Sequence, residues 1–392
     1  MFRGKNSGVV DLPLHSGKCP KWLFPLMKNL SKNISELIIN EYGENELLKR
    51  ISDPYWFQSL GCVIGFDWHS SGLTTTTTGA LKEALKNNEY IGIAGGKGKA
   101  SLKTPEEIKK LGEKINLKEK QINNLIKTSR ISAKVDNCLI QDGFRLYHHT
   151  IFFTKNLWAV VQQGRESLRD NLSKSAASKG SRMSNNRYAR RYHWIKKEEI
   201  NFVNEPHSGI ISDKLTNPLN LTAKESEETK KCSLDLIKDN PLRLRKYALP
   251  LKIDNRQRRL TDFTEHERVD SFKMPLQHFP SIDINLKTLV EAYEQQPKNY
   301  EELIMIKGMG EKNIRSLALI SHLVYGTKLS WKDPVKYSFA HGGKDGWPYP
   351  VDENKIKENA EFLKNAIKES EIGDKEKTKC LRRLNNYYTK IL

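Results

Sequence analysis

The sequence contains few cysteines, and they lie far apart. The five are Cys19, Cys62, Cys138, Cys232 and Cys380, and no two of them form a CxxC pair. A disulfide-stabilised secreted domain and a zinc site built on paired cysteines are therefore not expected. An odd, dispersed set of this kind is typical of reduced thiols inside a cell.

Long apolar runs are also missing from the sequence. No stretch of 18 or more apolar residues occurs, so no transmembrane helix is predicted. The N-terminal MFRGKNSGVVDLPLH lacks the apolar core of a signal peptide. We therefore expect a cytoplasmic protein without a membrane partner.

Acidic residues are scarce relative to basic ones. The 392 residues include 66 Lys and Arg against 47 Asp and Glu, for a formal net charge of +19. This excess favours an anionic partner, with nucleic acid as the first candidate and an acidic membrane surface as the second. We expect the partner to be double-stranded or structured DNA, with RNA as an alternative. We also expect the protein to be located at the nucleoid. Composition does not decide the oligomeric state.

The hydrophobic pattern predicts two folded parts. Helical periodicity and strand-like segments alternate in the N-terminal half, and residues 138–164 read as a strand followed by a hairpin. We predict an α+β (or α/β) catalytic domain over residues 1–215, with a basic loop at 165–197 that holds ten Lys and Arg against two acids. A polar and basic linker would follow at 216–285. Residues 286–392 would form an all-α, DNA-binding domain.

The stretch LIMIKGMGEKNIRSLALI, residues 303–320, places two glycines between two apolar-periodic runs. It predicts two helices joined by a tight turn, where glycine lets backbone amides approach a ligand and the second helix presents its N-terminus. The pattern resembles the helix-hairpin-helix motif of DNA-repair proteins, which holds the DNA backbone without reading sequence. A plain turn between helices is the alternative. The predicted DNA contacts here are Lys307, Gly308, Met309, Gly310, Lys312 and Arg315.

The same turn resembles that of helix-hairpin-helix DNA glycosylases. In their bifunctional members a lysine early in the second helix attacks the sugar, and an aspartate further on assists. Lys312 occupies the lysine position, and Asp333 lies near that of the aspartate, at a slightly long spacing. Such enzymes build a helical domain before the hairpin, whereas only about one helix, 286–297, precedes it here. A glycosylase/AP lyase therefore remains an alternative hypothesis.

Four short stretches of the N-terminal half are dense in reactive side chains: FDWHSSG (66–72), YHHT (147–150), VQQG (161–164) and ARRYHW (189–194). A nuclease needs a metal held by carboxylates or histidines, or a histidine for acid–base chemistry. Neighbouring residues of a strand face opposite sides, so at most one of His148 and His149 joins a given site. Structural, hydrogen-bonded histidines are the alternative. The candidate catalytic residues are Asp67, His69, His148, His149, Gln163 and His193.

The spacings match no established metal motif, so no metal ligand is assigned. The nuclease hypothesis nevertheless calls for a divalent metal, Mg²⁺ or Mn²⁺. The segment GIAGGKGKAS, residues 92–101, fails the phosphate-loop pattern because Lys97 takes the place of the second glycine in one register and Ala100 that of Ser/Thr in the other. No nucleotide cofactor is therefore expected, and an anion-binding loop is the better interpretation.

Arginines could hold phosphate bidentately, and aromatic side chains beside them could stack on bases. On these grounds we predict further nucleic-acid contacts, which include the two lysines of the 92–101 loop. They are Arg187, Arg190, Arg191, Tyr192, Trp194, Lys97 and Lys99.

Several longer stretches together resemble one family. They are DLPLHSGKCPKWL, FQSLGCVIGFDWHSSGLTTTTTGALKEAL, YHHTIFF, WAVVQQG, ARRYHW and DPVKYSFAHGGKDGWPYPVD. With the hairpin, they resemble the mainly archaeal domain-of-unknown-function family 763 over nearly the whole chain. The resemblance implies a thermophilic archaeal setting and no established activity, so it assigns no catalytic residue.

The sequence thus favours a DNA-processing protein of repair or recombination. A nuclease acting at the histidine-rich half, with the hairpin holding the backbone, is the leading hypothesis. The glycosylase/lyase and a non-enzymatic, structure-specific DNA-binding protein are the alternatives.

Overall fold

The computed structural model describes residues 19–66, 70–166, 188–197, 200–212, 214–247, 282–336 and 353–391. Helices make up most of this part of the chain. They are α1 (Leu23–Tyr42), α2 (Glu44–Ser52), α3 (Pro54–Val63), α4 (Leu73–Ala84), α5 (Lys99–Leu102), α6 (Thr104–Lys114), α7 (Glu119–Cys138), α8 (Glu227–Lys238), α9 (Leu286–Gln295), α10 (Tyr300–Met305), α11 (Glu311–Tyr325), α12 (Glu353–Glu369) and α13 (Asp374–Ile391).

Most of the described strands form an antiparallel sheet at the centre of the molecule. They are β1 (Gly92–Lys97), β2 (Ile140–Gln141), β3 (Phe144–Phe153), β4 (Trp158–Glu166), β5 (Ala189–Ile195), β6 (His207–Ser212) and β7 (Leu219–Asn220). Five of them pair in the order β1-β3-β4-β5-β6, and β2 pairs with β7 in a small ribbon. All these pairs are antiparallel.

Local side-chain contacts explain the turns that start and end β3. The Asp142 carboxylate accepts a bond from the Phe144 amide at 2.9 Å, and Gly143 takes a φ of +83° that suits glycine. At the other end Thr154 Oγ1 accepts from the Leu157 amide at 3.0 Å and closes the turn into β4. The sequence carries turn signals at both places, at Asp142-Gly143 and near Lys155-Asn156.

Helix α7 is longer than its sequence pattern indicates. Periodicity predicts a helix over residues 117–128, whereas the helix runs to Cys138. Its first turn is fixed by Gln121, whose Oε1 accepts a bond from the Lys118 amide at 2.9 Å. The additional turns carry Lys134, Asp136 and Asn137 to the candidate site.

The sheet lies between two layers of helices, and each face has its own apolar core. On one face Phe152, Ala159 and Val161 pack with α1–α4 and with the C-terminal α12 and α13. On the other face Ile151 and Val160 pack with α6–α11. The fold is thus a mixture of helices with an antiparallel sheet, which agrees with the α+β form of the prediction, and the C-terminal part is helical.

Each core joins segments that lie far apart in the chain. The first combines residues 23–93 and 152–161 with residues 363–384, and the second combines residues 94–244 with residues 289–335. Helix α8, which falls in the segment predicted as a linker, packs against α11. The cores therefore run across the proposed boundaries at residues 215 and 285, and the division into domains stays a prediction.

None of the described helices is both long enough and apolar enough to cross a membrane.

Candidate functional site

A pocket of about 330 Å³ opens beside β3, between α7 and the segment that joins α5 to α6. We call it the histidine pocket. Ser129 and His149 lie at its wall and are largely but not wholly buried, at 4% and 6% exposure. The lining residues are Ser101, Leu102, Thr104, Pro105, Ser129, Arg130, Ala133, Asn137, Leu146, Tyr147, His148 and His149.

A chain of hydrogen bonds leads from Ser129 into the interior. Ser129 Oγ lies 2.8 Å from His149 Nε2, and His149 Nδ1 lies 2.9 Å from Gln162 Oε1. The Gln162 amide nitrogen donates in turn to Asp136 Oδ2 at 2.6 Å. The same carboxylate accepts bonds from Trp194 Nε1 at 3.1 Å and His207 Nε2 at 2.6 Å.

The direction of these bonds fixes the tautomer of His149. With Asp136 ionised, its oxygens can only accept, so Gln162 donates its amide proton there and presents its side-chain carbonyl oxygen to His149. Nδ1 of His149 must then carry the proton, which leaves Nε2 as the acceptor for the Ser129 hydroxyl. Burial lowers the pKa of His149 to about 4, so the ring is neutral at neutral pH.

The other predicted histidines of the sheet face the opposite side. His148 Nε2 lies 3.0 Å from the hydroxyls of Thr78 and Thr150. Burial, then the nearness of His149 and of two lysines, lowers the pKa of His148 to about 3. The rings of His148 and His149 therefore belong to different networks, as strand alternation predicts.

Gln163 and His193 also serve packing on that face. The Gln163 amide donates to the carbonyl of Ser71 at 3.0 Å and to the Tyr147 hydroxyl. His193 Nε2 accepts from Arg191 Nε at 2.8 Å, and its Nδ1 lies 3.1 Å from the carbonyl of Ile51. His193 is fully buried, so in this fold its side chain makes structural contacts and is closed to a substrate.

Arg190 lies at the centre of a buried ion-pair network. Its two terminal nitrogens donate to Asp142 and to Asp333, each at 2.8 Å. The Tyr192 hydroxyl donates to Asp142 as well, at 2.7 Å. Burial alone would lower the pKa of Arg190, but the two carboxylates outweigh it and hold that pKa above its usual value. The network joins β5 to the segments before β3 and after α11.

Four of the predicted DNA contacts have their side chains inside the fold. Arg190, Arg191, Tyr192 and Trp194 are all fully buried, so a polynucleotide cannot touch their side chains. Arg191 donates to Gln58 Oε1 at 3.0 Å and to the carbonyl of Pro54 at 3.2 Å. The dense ARRYHW stretch thus holds the helical layers onto the sheet.

The turn between α10 and α11 is anchored to α7. Lys134 Nζ donates to the Met309 carbonyl at 2.6 Å, and the Asn313 amide donates to the Gly308 carbonyl at 3.2 Å. Gly308 has a φ of +84°, and a Cβ there would lie 2.7 Å from Thr288 Oγ1. A Cβ at Gly310 would meet open space, with Gly308 O as the nearest atom at 3.9 Å.

The side chains of the turn divide into exposed and buried ones. Lys307 and Lys312 are exposed, and Arg315 is half-buried one turn further along α11. Met309 is fully buried, so its side chain packs in the core, away from a surface that DNA could touch. Only its carbonyl, already bonded by Lys134, lies at the turn.

Lys312 and Asp333 are not brought together. Lys312 is 78% exposed at its side chain, and its Nζ lies 2.5 Å from Asp283 Oδ2. Asp333 is engaged by Arg190 and by the Thr216 amide at 2.8 Å. A lysine nucleophile requires a desolvated amine or a cationic neighbour, and exposed Lys312 pairs instead with a carboxylate. In this fold the two side chains belong to separate networks, and their catalytic role stays a prediction.

A second pocket, of about 340 Å³, lies next to the hairpin turn. We call it the hairpin pocket. It shares Asn137 and Leu146 with the histidine pocket, so the two adjoin, and we call them together the groove along α7. Gln141 closes it toward α11 by donating to the Glu311 carbonyl at 3.0 Å. Its lining residues are Asn137, Cys138, Ile140, Gln141, Asp142, Gly143, Phe144, Arg145, Leu146 and Glu311.

The predicted anion-binding loop lies close to the histidine pocket. Lys97 and Lys99 are exposed at the end of β1 and the start of α5. The Lys97 ammonium lies 5.9 Å from the centre of the Tyr147 ring, and the Gly98 amide donates to the Tyr147 carbonyl at 2.8 Å. Tyr147 itself lines the pocket.

Three predicted residues, Asp67, His69 and Arg187, lie outside the described residues, as does most of the basic loop 165–197. Within the described ranges no group of three or more His, Cys, Asp or Glu side chains is arranged to hold a metal ion. The divalent metal of the nuclease hypothesis therefore has no assigned ligands.

Ser129, Gln162 and Asp136 were missed by sequence reasoning. Ser129 lies in the unremarkable helical stretch KTSRISAK, and its partner His149 is 20 residues away. Gln162 stood in a recognised motif, but only the strand register shows that it lies opposite His149.

The chain matches the profile of the family described as protein of unknown function (DUF763) over residues 8–351. This match covers most of the sequence, and the chain belongs to that family. No curated protein and no solved structure matches it.

Proposed function

We propose that this DUF763 protein binds DNA and hydrolyses its phosphodiester bonds, in repair or recombination. The histidine pocket would hold the reacting phosphate. The turn between α10 and α11 would act as a helix-hairpin-helix and hold a neighbouring phosphate of the same strand.

The observation that carries this proposal is the groove along α7. Ser129, Ala133 and Asn137 are spaced four residues apart, so they line one face of the helix and lead from one pocket to the next. Ser129 and Asn137 are separated by about 12 Å along the helix axis, at 1.5 Å per residue. That length equals roughly three to four nucleotides of a duplex at 3.4 Å each.

Charge along the groove suits a polyanion. Arg130 and Arg145 are exposed at the walls of the two pockets, and Lys307 and Lys312 are exposed at the turn. Glu311, the first residue of α11, is an exposed carboxylate at the hairpin pocket. Because it repels phosphate, we expect a phosphate there to contact the backbone amides of α11 and not the side chains. The overall charge of +19 adds a long-range attraction for DNA.

Gly310→Ala tests the hairpin without disturbing the fold. Gly310 has a φ of −101°, which alanine adopts readily, and its added methyl group meets no protein atom closer than 3.9 Å. If DNA phosphate approaches this backbone, the methyl group will obstruct it and weaken binding.

The matched control for this variant is Gly79→Ala, in α4 on the far face of the sheet. A Cβ there meets its nearest atom at an ordinary 3.8 Å. We expect unchanged unfolding for Gly310→Ala, a gain of up to about 1 kcal/mol for the mid-helix Gly79→Ala, and weaker DNA binding for Gly310→Ala alone. Equal affinities would contradict the hairpin's part in binding.

Hydrolysis is tested with labelled bubble, flap, abasic and intact DNA, each with and without Mg²⁺ or Mn²⁺. We expect 5′- or 3′-phosphorylated fragments that appear with wild-type protein and not with His149→Gln. Binding without any product would favour a non-enzymatic, structure-specific DNA-binding protein. Scission restricted to abasic DNA, with a borohydride-trapped adduct, would favour the lyase alternative.

A further inference from the structure

We propose that Ser129 is a nucleophile, that His149 is its general base, and that the bond attacked is a phosphodiester of the polynucleotide in the groove. This inference rests on the proposed function and names the residue that performs it. Gln162 and Asp136 are positioning residues, because they act through His149.

The arrangement has the parts of an activated serine. The Ser129 hydroxyl lies within hydrogen-bond distance of the neutral imidazole of His149. That imidazole is oriented by a third group, the side-chain carbonyl of Gln162. A buried carboxylate, Asp136, fixes the orientation of the amide itself. A serine buried only for packing in a helix commonly bonds the carbonyl four residues before it, whereas Ser129 is bonded to His149.

Access and charge distinguish this serine from its neighbours. Ser129 opens on the histidine pocket, and Arg130, the next residue of α7, is exposed in the same wall. A guanidinium there can hold the non-bridging oxygens of the phosphate while Ser129 attacks. Ser132, one turn further along α7, is also buried, but its hydroxyl donates to the Ser129 carbonyl at 3.1 Å.

The reaction has two steps. In the first, Ser129 Oγ bonds to phosphorus, the bond from phosphorus to one sugar oxygen breaks, and the serine proton passes to His149 Nε2 and through water to the departing oxygen. In the second, water attacks phosphorus, His149 takes a proton from it, and Ser129 leaves with that proton. The net result is hydrolysis to a phosphomonoester and a sugar hydroxyl.

A fluorophosphonate tests the nucleophile directly on the full-length wild-type protein. Attack by Ser129 would break the P–F bond, release fluoride and leave one adduct that peptide mass mapping locates. We expect the adduct at Ser129 in wild type and in Ser132→Ala, and its loss in Ser129→Ala. Folded wild-type protein without an adduct at Ser129 would overturn the inference, whatever the variants do.

The role of His149 has its own pH signature. Because its pKa is lowered to about 4, labelling should be nearly constant from pH 6 to 8 and fall only near pH 4. In His149→Gln the rate should fall by roughly 10²-fold. A wild-type rate that rises steadily up to pH 8, as for an unassisted hydroxyl, would contradict a base with this pKa.

The positioning residues are tested through the tautomer of His149. In wild type the ¹⁵N shifts of the ring should report a proton on Nδ1, with the signal assigned by its loss in His149→Gln. In Asp136→Asn the amide of Gln162 can turn over, and the proton should move to Nε2 with loss of labelling. An Nε2 proton already present in wild type would overturn the relay.

The DNA assay separates this inference from the proposed function. Cleavage by wild type that is lost in Ser129→Ala supports both. Cleavage that survives in Ser129→Ala keeps the function and overturns the nucleophile. Labelling of Ser129 with no cleavage of any DNA overturns the function, and with it the assignment of a polynucleotide as the substrate.

Discussion

At the residue scale, Asp136 joins two sides of the molecule. One of its oxygens bonds His207 at 2.6 Å, and the other bonds Gln162 at 2.6 Å. Burial raises the pKa of Asp136, and the bonds from His207 and Trp194 oppose that rise. A fully buried carboxylate is costly unless it is paired and hydrogen-bonded, so its three donors explain why it is tolerated under the candidate site.

The buried histidines predict how stability depends on pH. The folded-state pKa of His149 is about 4, against 6.5 for an ordinary histidine. As the pH falls, the unfolded chain therefore binds the proton at a higher pH than the folded chain does. The free energy of unfolding is at its full value above pH 6.5 and decreases as the pH falls toward 4. Between pH 7 and 4, wild type should lose on the order of 3 kcal/mol more than His149→Gln.

Urea unfolding of both proteins from pH 4 to 7 measures this difference. Burial also raises the pKa of Asp142 to about 6, which changes stability in the opposite direction over the same range. That contribution is common to both proteins and cancels in the comparison. Parallel pH curves would show that His149 is not buried neutral.

Removing Arg190 should be among the most damaging single changes. In Arg190→Met the carboxylates of Asp142 and Asp333 would stay buried without their cation. The free energy of unfolding should fall by about 3–5 kcal/mol, as for other broken buried pairs. The exposed Arg145→Met is the matched control and should change it by less than about 0.5 kcal/mol. Urea unfolding that gives similar values for the two variants would refute the buried network.

At the element scale, α7 organises the candidate site. Its side chains reach the histidine pocket through Ser129, the sheet network through Asp136, and the hairpin turn through Lys134. One rigid helix thus sets the distance between the pocket and the turn. A site on a helix holds its geometry more accurately than one on loops.

The two glycines of the turn should respond differently to alanine. Gly308→Ala must hold a φ of +84° and place its methyl group 2.7 Å from Thr288 Oγ1. The φ alone costs about 1–2 kcal/mol, and the contact adds to it. Gly310→Ala should leave the free energy of unfolding nearly unchanged. Equal stability of the two variants in urea unfolding would contradict this packing of the turn on α9.

Elements with local signals could be predicted from the sequence. The turn at Asp142-Gly143 and the glycine-containing turn before α11 depend on residues within a few positions of each other. Strand alternation also separates His148 from His149 correctly. Burial of the basic residues could not be predicted in this way, because the carboxylates that pair with Arg190 lie 48 and 143 residues away.

The stretch ARRYHW shows that the candidate site, too, could not be located from local sequence alone. Arginine and histidine side chains are usually exposed, so a cluster of them suggested a binding surface. In the fold this stretch forms most of β5, in a sheet that helices cover on both faces. Its polar side chains hydrogen-bond to other buried groups. Ser129 lacked any local signal, because its significance depends on a histidine in another element.

At the scale of the whole molecule, the C-terminal helices complete the first core. Leu363 and Ile367 of α12 are fully buried with residues of α1–α4, although both lie beyond the matched family region. Leu363→Ala should lower the free energy of unfolding by about 2–5 kcal/mol through loss of packing and the cavity it leaves. The exposed neighbour Lys364→Ala should change it by less than about 0.5 kcal/mol. Equal thermal denaturation midpoints would mean that α12 does not pack on this core.

The net charge of the whole molecule predicts a steep salt dependence of DNA binding. Each phosphate that the protein neutralises releases counterions, so the logarithm of affinity should fall linearly with the logarithm of salt concentration. Lys307 is exposed beside the turn, and Lys307→Ala should reduce that slope by about one. Lys375→Ala, an exposed lysine of α13 in the opposite layer of helices, should leave it unchanged. Fluorescence anisotropy with one duplex from 50 to 200 mM salt measures the slopes. Equal slopes for both variants would place the DNA elsewhere on the surface, and a salt-independent affinity would refute binding through the phosphate backbone.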